Sequence, residues 1–193
     1  MPWEKSFDTE STLAKAMEAF WVRGYEATSM QDLVDCMGIG RGSLYATFGD
    51  KRSLFIQALQ LYDRRHRQDW TARLSELQSG RSAIMAVFDG VIVAVVDGGC
   101  RNGCLLMNTA LELSPHDEEI GEIVNQCLVH MEAFFVEQLE RAREDGEVSP
   151  DLCSEETAKI LLALLVSLRV FTRARPDPDM MRTVAAKAEA LLG

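Results

Sequence analysis

A short stretch near the N-terminus carries the side chains best suited to binding a partner. Its outward-facing residues are cationic, hydroxyl-bearing or small, and they are Arg41, Gly42, Ser43, Tyr45, Thr47 and, just beyond, Lys51. Guanidinium, ammonium and hydroxyl groups donate hydrogen bonds to phosphate oxygens and base edges, and glycine permits a close backbone approach. The chemistry indicated is hydrogen bonding to double-stranded DNA.

Two short helices joined by a tight turn would position these residues. Thr28 and Ser29 are both favourable N-caps, and each is followed three residues later by a capping-box partner. Gly38 suits the left-handed conformation that ends a helix, and in the next helix Leu44 and Phe48 face inward. The polar residues of that second helix must then face outward, which is the arrangement of a helix-turn-helix that reads DNA.

The rest of the chain shows helical periodicity and no alternation typical of strands. The pattern predicts a first helix that closes at Gly24, a helix of about 28 residues from an Asp50 cap to residues 79–80, and helices over residues 82–97, 103–113, 117–145, 154–173 and 177–192. The predicted fold class is all-α with about nine helices, the first three of which form a unit around the helix-turn-helix.

The charge of the chain is unevenly distributed. The net charge is −10, which opposes non-specific attraction to DNA. Residues 1–56 carry 6 Lys and Arg against 8 Asp and Glu, whereas the remainder carries 14 against 22. Arg41, Lys51 and Arg52 therefore indicate a reader of one DNA sequence more than a general DNA coat. A second basic run over residues 64–67 is interpreted as a solvated face or a partner of acidic groups.

Several classes of protein and site lack support. The five cysteines, Cys36, Cys100, Cys104, Cys127 and Cys153, do not form a disulfide framework. The longest apolar run, residues 160–166, is far shorter than the roughly 20 residues of a membrane span, and no apolar signal core is present, so a cytoplasmic protein is expected. No phosphate loop, nucleophile elbow or carboxylate dyad indicates an enzyme, and no ligand spacing indicates a metal or cofactor.

The N-terminal segment up to Phe55 resembles the TetR family of bacterial transcriptional regulators. The resemblance rests on the Phe20…Gly24-Tyr25…Thr28 run, on Met37-Gly38-Ile39, on Gly42-Ser43-Leu44-Tyr45, and on Phe48-Gly49-Asp50-Lys51 followed by Leu54-Phe55. Beyond this segment only Gly103-Cys104-Leu105-Leu106…Glu112-Leu113 and the helix count are similar. The resemblance implies a DNA-binding domain over residues 1–50 and a ligand-binding and dimerisation domain over residues 51–193.

For the first domain, the resemblance implies a homodimer on a pseudo-palindromic operator. One recognition helix per subunit would enter successive major grooves, about 34 to 36 Å apart. The mapped contacts are Arg41, Gly42 and Ser43 with bases or nearby phosphates, Tyr45 and Lys51 with the DNA backbone, and Thr28 and Ser29 close to phosphate. Lys51 has separate support, because the helix dipole disfavours a lysine in a first turn and an external anion would compensate.

Two positions in this segment depart from the family pattern. Gly40 stands where a Ser, Thr or Ala cap is common, which costs the recognition helix some rigidity. Ala46 stands where a larger residue often reaches DNA, which removes one potential contact. Both departures affect the predicted base preference and leave the family resemblance intact.

For the second domain, the resemblance implies that a small-molecule inducer binds among the helices and lowers the affinity for DNA. The candidate ligand-binding residues are Phe88, Cys104, Met107, Asn108, Glu112, Cys127, Met131, Phe134 and Phe135. Met and Phe at helical spacing are more often core residues than ligand contacts. Glu112 is also consistent with a solvated position, and Asn108 with a bond to neighbouring backbone. The last two helices would build the dimer interface.

Two further hypotheses remain open. Cys100 and Cys104 flank Arg101, and a nearby cation lowers the pKa of a thiol, so a repressor that senses oxidants or electrophiles through cysteine is one alternative. Buried, unreactive cysteine is the competing interpretation. A helical dimerisation module without DNA binding is the other alternative, although it would not need the polar surface around Arg41 and Lys51.

Overall fold

A computed structural model describes residues 7–77, 79–97 and 101–193, and every regular element in these ranges is helical. The helices are α1 Thr9–Arg23, α2 Met30–Met37, α3 Arg41–Phe48, α4 Lys51–Asp63, a π-helical segment Arg64–Gln68, α5 Asp69–Ser75, α6 Gly80–Val96, α7 Leu105–Glu112, α8 Glu118–Glu144, α9 Ser154–Ala174 and α10 Pro178–Ala190. The π-helical segment joins α4 and α5 into one continuous rod. Counted this way, the described chain has nine helical rods, which confirms the predicted all-α fold class.

Helices α1 to α3 enclose a small core that continues onto α4. Phe20, Leu33 and Leu44 are fully buried, and the rings of Phe20 and Phe55 meet edge to face with centroids 5.0 Å apart. Between α2 and α3, Gly38 adopts the predicted left-handed conformation with φ 69°. This shared core fixes the helix-turn-helix relative to the rod that leads into the rest of the molecule.

Only one of the two predicted N-caps begins α2. The Ser29 hydroxyl accepts the Asp32 backbone N–H at 3.1 Å, and the Asp32 carboxylate accepts the Ser29 N–H at 2.9 Å, which completes a capping box. Thr28 is fully buried, and its hydroxyl donates to the Gly24 carbonyl at 2.6 Å. Of the two alternative caps, Ser29 is therefore the one that begins α2, and the position of Thr28 close to phosphate stays a prediction for a side chain that is fully buried.

The rod after the DNA-binding unit differs from the predicted uninterrupted helix. It ends at Ser75, and Ser79 instead caps α6 by accepting the Ser82 backbone N–H at 3.1 Å. Leu77, expected on the inward stripe, is 37% exposed. The π-helical segment within the rod inserts extra backbone per turn, which rotates the residues after it relative to those before it. Periodicity near 3.6 cannot reveal such an insertion.

The larger core lies among α6, α8, α9 and α10. Phe88 and Phe135 are fully buried at its centre and stack with ring centroids 6.2 Å apart. At the start of α6, a Cβ on Gly80 would lie 2.1 Å from the Gln138 carbonyl oxygen, so only glycine permits α6 and α8 to approach this closely. None of the helices in the described ranges is long and apolar enough to cross a membrane.

Candidate functional site

The α3 helix presents the polar surface that its sequence predicts. Leu44 and Phe48 are at most 2% exposed and anchor the helix from below. On the other side, Arg41, Gly42 and Tyr45 are exposed, whereas Ser43 and Thr47 are half-buried. The five predicted residues of α3 are therefore exposed or half-buried, while Leu44 and Phe48 of the same helix are buried. We call the surface formed by Arg41, Gly42, Ser43, Tyr45, Thr47 and Lys51 the recognition face.

Lys51 is held at the edge of this face by an aromatic ring. Its Nζ lies 4.3 Å from the centroid of the Tyr25 ring, a distance typical of a cation–π contact. Asp50, just before it, caps α4 by accepting the Ser53 N–H at 2.7 Å. The ring stabilises the ammonium in the first turn of α4, so an external anion is not required to explain why a lysine occupies this position.

The start of α3 is left without a side-chain cap. Gly40 occupies the N-cap position and offers no side-chain hydrogen bond to the first backbone N–H groups of the helix. These N–H groups point out of the helix end, where they can donate hydrogen bonds to an anion such as phosphate. The departure from the family pattern noted at Gly40 therefore leaves donors free for a ligand at the recognition face.

A cavity lies between the rod, α7, α8 and α9. It is lined by Tyr62, His66, Arg67, Trp70, Cys104, Leu106, Met107, Cys127, Leu128, Met131, Leu162, Leu165, Val166 and Arg169. Its volume is about 70 Å³, and most of its lining is apolar. Four of the predicted ligand-binding residues, Cys104, Met107, Cys127 and Met131, are among those that line it.

The other predicted ligand-binding residues do not line this cavity. Phe88 and Phe135 are fully buried in the core centred on α6, and Phe134 is 7% exposed beside them, so the alternative interpretation as core applies to all three. Asn108 donates from Nδ2 to the Asn102 carbonyl at 2.9 Å, which matches its alternative role of satisfying backbone. These assignments depend on how helices meet in space, which periodicity does not report.

Glu112 has a structural role that the sequence did not indicate. Its carboxylate accepts the backbone N–H of Tyr25 at 3.2 Å and of Glu26 at 2.9 Å. A Cβ on Gly24, which has φ 90°, would lie 3.1 Å from Glu112 Oε2. Glu112 is therefore neither a cavity residue nor a solvated side chain, and it joins the end of α7 to the turn that precedes α2.

Further polar contacts join the two ends of the molecule. Trp21 Nε1 donates to the Gly103 carbonyl at 3.1 Å, directly before Cys104 of the cavity. Arg52 donates to Asp117 at 2.6 and 2.9 Å, and it also pairs with Glu119 at 2.7 Å. The Arg52 guanidinium holds the pKa of the Asp117 carboxyl at about 2. The residue before Cys104 is thus bonded to α1, and the start of α8 is paired with α4.

The basic run over residues 64–67 is not a uniformly solvated face. Arg67 makes a bidentate pair with the buried Asp63, which also accepts from Gln68 at 2.9 Å. His66 stacks on Tyr62 with centroids 4.5 Å apart, and burial, followed by the charge of Arg169, lowers its pKa. Arg65 does meet an acidic partner, Glu10 at 2.7 Å, as one interpretation expected.

Sequence reasoning missed several cavity residues, among them Tyr62, Trp70 and Arg169. Tyr62 and Trp70 belong to an apolar stripe that is equally consistent with a core, and Arg169 is an isolated cation in an apolar segment. That isolation is the one signal that could have marked it, since a cation within a buried helix needs a partner or a function.

The cysteines are only partly within the described residues, because Cys100 lies outside them. Cys104 is 8% exposed, and the Tyr62 hydroxyl donates to its Sγ at 3.6 Å. Burial, reinforced by the nearby Asp63, raises the pKa of Cys127 to about 12, so its thiol is protonated near neutral pH. Over the described ranges, no group of three or more His, Cys, Asp or Glu could hold a metal ion.

Comparison with known proteins identifies both halves of the chain. The family model for "Bacterial regulatory proteins, tetR family" matches residues 13–58, and that for "Tetracyclin repressor-like, C-terminal domain" matches residues 80–188. The first match includes the helix-turn-helix, and the second lies in the helices that follow the rod. The second match alone covers more than half of the chain.

Individual relatives extend over nearly the whole chain. The uncharacterized HTH-type transcriptional regulator YezE of Bacillus subtilis (strain 168) is 34% identical over 179 residues, 92% of either chain. The HTH-type transcriptional repressor ComR of Escherichia coli (strain K12) is 29% identical and covers 94% of this chain and 87% of its own. A cysteine mutant of the TetR family transcriptional regulator CifR, solved with 26bp double-strand operator DNA, is 29% identical with TM-score 0.85, covering 97% of this chain and 98% of CifR. As its helix-turn-helix predicts, the chain belongs to the TetR family of bacterial regulatory proteins.

Proposed function

We propose that this chain is a transcriptional repressor that binds a pseudo-palindromic operator as a homodimer and releases it when a small molecule enters the cavity. The observation that carries the proposal is the recognition face, where exposed Arg41, Gly42 and Tyr45 stand over a fully buried Leu44. We also propose that the protein binds DNA without catalysing a reaction and that it acts in the cytoplasm. We assign residues 1–50 to DNA binding and 51–193 to ligand binding and dimerisation.

Binding at the recognition face would combine two kinds of contact. Arg41, at the first position of α3, would reach base edges in the major groove, and Tyr45, which is 47% exposed, would reach the adjacent backbone. Lys51, whose Nζ lies over the Tyr25 ring, would contact a phosphate. Ser29 keeps an exposed position beside the same surface, although its hydroxyl is shared with Asp32.

A dimer is supported by an uncovered apolar stripe on α9. The stripe runs along one side of the helix through Ile160, Ala163, Leu164, Ser167, Val170 and Phe171, opposite to the buried side. Ile160 is 48% and Val170 37% exposed, and they lie nearly three turns apart on the same side of the helix. Helix α10 carries half-buried Met180, Val184 and Leu191 on its corresponding side. Two copies of these helices would cover each other's stripe about a two-fold axis.

Transmission from cavity to DNA would use the contacts around α7. A ligand between the rod and α7 would shift the segment from Gly103 to Met107, and Trp21 and Glu112 would carry that shift to the DNA-binding unit. A change in the separation of the two recognition faces would then lower operator affinity by the coupling free energy.

The test begins with selection of bound DNA from a random library, followed by titration of the selected operator. The proposal expects a palindromic sequence bound with two protomers per site, and a Tyr45→Ala variant that binds all sequences more weakly. Arg182→Ala, which removes an exposed arginine of α10, serves as the matched control. A chain that enriches no sequence, or that sediments as a monomer at micromolar concentration, contradicts the proposal.

A further inference from the structure

A second, larger cleft adjoins the cavity. Tyr62, His66, Trp70 and Arg169 line both of them. The cleft has a volume of about 360 Å³ and includes the exposed Arg65 and Arg73, whereas the cavity has about 70 Å³ and ends at buried residues such as Leu106 and Met131. The two together form a site with a narrow apolar inner end and a wider, polar outer end.

The charge of this site is opposite to that of the whole molecule. The chain carries 30 Asp and Glu and a net charge of −10, yet among the residues that the structure describes no carboxylate lines the cavity or the cleft. The arginine and histidine side chains that line them are Arg65, Arg67, Arg73, Arg169 and His66. Low-dielectric walls strengthen the field of such groups, so this site attracts anions although the surface as a whole repels them.

Among the described residues, no carboxylate neutralises two cations of this set, Arg73 and Arg169, and only Arg169 is half-buried and lines the cavity as well as the cleft. Arg67 is paired with Asp63 and Arg65 with Glu10. Within the described ranges, no carboxylate lies within 4.0 Å of the Arg169 guanidinium, which stands 5.7 Å from the centroid of the Trp70 ring. A half-buried guanidinium that lacks an anion has lost hydration without a compensating pair.

We propose that the site takes a small organic monoanion, with an apolar body in the cavity and a carboxylate on Arg169. Guanidinium binds carboxylate through two parallel N–H donors, which fixes the orientation of the ligand as well as its charge. The apolar body would contact Trp70, Met107 and Met131. Since the cavity is small beside the 300–1,000 Å³ typical of ligand pockets, the body is expected to be about the size of one ring or a short alkyl chain.

Trp70 is placed by a glycine, which offers a separate handle on the shape of the site. A Cβ on Gly90 of α6 would lie 2.8 Å from Cζ2 of the Trp70 ring, so Gly90→Ala must displace the indole. This change alters the wall of the cleft without altering its charge. Arg169→Gln does the reverse, because it removes the charge and retains a polar side chain beside Trp70.

The decisive experiment is calorimetric titration of the full chain with matched probes that differ only in charge. One series is benzoate, benzamide and benzylamine, and a second is octanoate, octanamide and octylamine. In at least one series we expect the anion to bind about tenfold or more tightly than its neutral and cationic counterparts. If no anion binds more tightly than its neutral match, or if an amine binds best, the proposal is wrong, and this comparison needs no variant.

Variants then locate the anion. Arg169→Gln is expected to lower the affinity for the preferred anion about tenfold and leave its neutral counterpart unchanged, whereas Gly90→Ala should change both equally. Arg182→Gln removes an exposed arginine of α10 and should change neither. An Arg169→Gln variant that melts like the parent and binds the anion with parental affinity overturns the assignment of Arg169.

This inference rests on the proposed function only in treating the site as that of the inducer, and the two can fail separately. Operator binding is measured without any ligand, and ligand binding without DNA. If the chain prefers anions through Arg169 but enriches no operator, the proposed ligand class stands and the proposed function is wrong. A chain that binds an operator but does not distinguish the charge of the probes has the opposite outcome.

Discussion

The recognition face and the ligand site differ in how much of the chain builds them. The recognition face comes from residues 41–51, held by Leu44 and Phe48 on the same short helix. The cavity of the ligand site lies between the rod, α7, α8 and α9. Its lining residues are separated by up to 107 positions in the sequence, from Tyr62 to Arg169. A surface built from one contiguous segment can be recognised from local spacing, whereas a cavity between helices exists only after they have docked.

The largest effect on the free energy of unfolding is expected from a cavity-creating substitution in the larger core, among α6, α8, α9 and α10. Phe88→Ala should lower the free energy of unfolding by about 3–5 kcal/mol, because it leaves a void next to Phe135 in a core that cannot collapse fully. Chemical denaturation measures the change. Val93→Ala, at a position of the same helix that is 53% exposed, should cost less than about 0.5 kcal/mol. A Phe88 variant as stable as the Val93 control would mean that Phe88 faces a ligand space after all.

The next effect tests the recognition face directly. Arg41→Ala should weaken binding of the selected operator by about 1–3 kcal/mol, roughly 5- to 150-fold, and should relax the preference at one base pair of each half-site. Fluorescence anisotropy against single-base variants of the operator measures both quantities. An equal loss of affinity for every DNA sequence would indicate that Arg41 contacts phosphate. No loss of affinity would indicate that Arg41 does not contact DNA.

A smaller effect should appear at the contact between the two regions. Glu112→Gln replaces one acceptor oxygen by an amide, so one of the N–H groups of Tyr25 and Glu26 loses its partner. We expect hydrogen exchange in the turn before α2 to accelerate about tenfold, as the loss of a hydrogen bond worth about 1.4 kcal/mol would produce. Glu122→Gln, on the exposed side of α8, is the control. An unchanged rate of hydrogen exchange in this turn would show that the Glu112 contact does not stabilise it.

Lys51→Ala should change the salt dependence of operator binding more than its sequence preference. Loss of one phosphate contact lowers the slope of log K against log salt by about one. Because the contact with Tyr25 contributes only about 0.5–1 kcal/mol at an exposed site, stability should change little. Lys159→Ala, on α9, should leave the slope as it is. If the Lys51 variant has the same slope of log K against log salt as the parent, Lys51 contacts Tyr25 and no phosphate.

The smallest effect concerns pH. The folded-state pKa of Asp117 is about 2, below the ordinary value of about 3.9, so its pairing with Arg52 stabilises the protein above the ordinary pKa and is lost as pH falls through the folded-state value. The parent should therefore exceed Asp117→Asn in stability at pH 6, and the difference should shrink between about pH 4 and pH 2. Thermal melts at several pH values measure this. A difference independent of pH would contradict a stabilising role for the ionised Asp117 carboxylate.

The sequence predicted the elements of the fold well where the signals were local. Ser29, Gly38 and Asp117 mark helix ends in the structure because capping depends on residues within a few positions of one another. It left Thr28 and Ser29 as alternative caps, because two adjacent caps compete and burial decides between them. It failed at the π-helical segment, which inserts backbone without changing the composition of the rod.

Prediction of the ligand site was limited for a different reason. Cys104, Met107, Cys127 and Met131 do line the cavity, while Phe88, Phe134 and Phe135, which are similar in chemistry and spacing, lie in a core. Apolar residues on an inward face are equivalent until neighbouring helices close over them or leave a gap. Glu112 and Arg169 were misjudged or missed because their partners lie far away in the sequence.

What the sequence determined by itself is the helix-turn-helix, its outward polar residues and the family, since these follow from caps, periodicity and motifs within one continuous segment. What only the tertiary structure decided is which inward residues border a cavity, that Glu112 joins α7 to the DNA-binding unit, and that Arg169 stands without a carboxylate beside Trp70. These properties are distances between separate helices, and helix docking fixes them through volumes and contacts that no local pattern encodes.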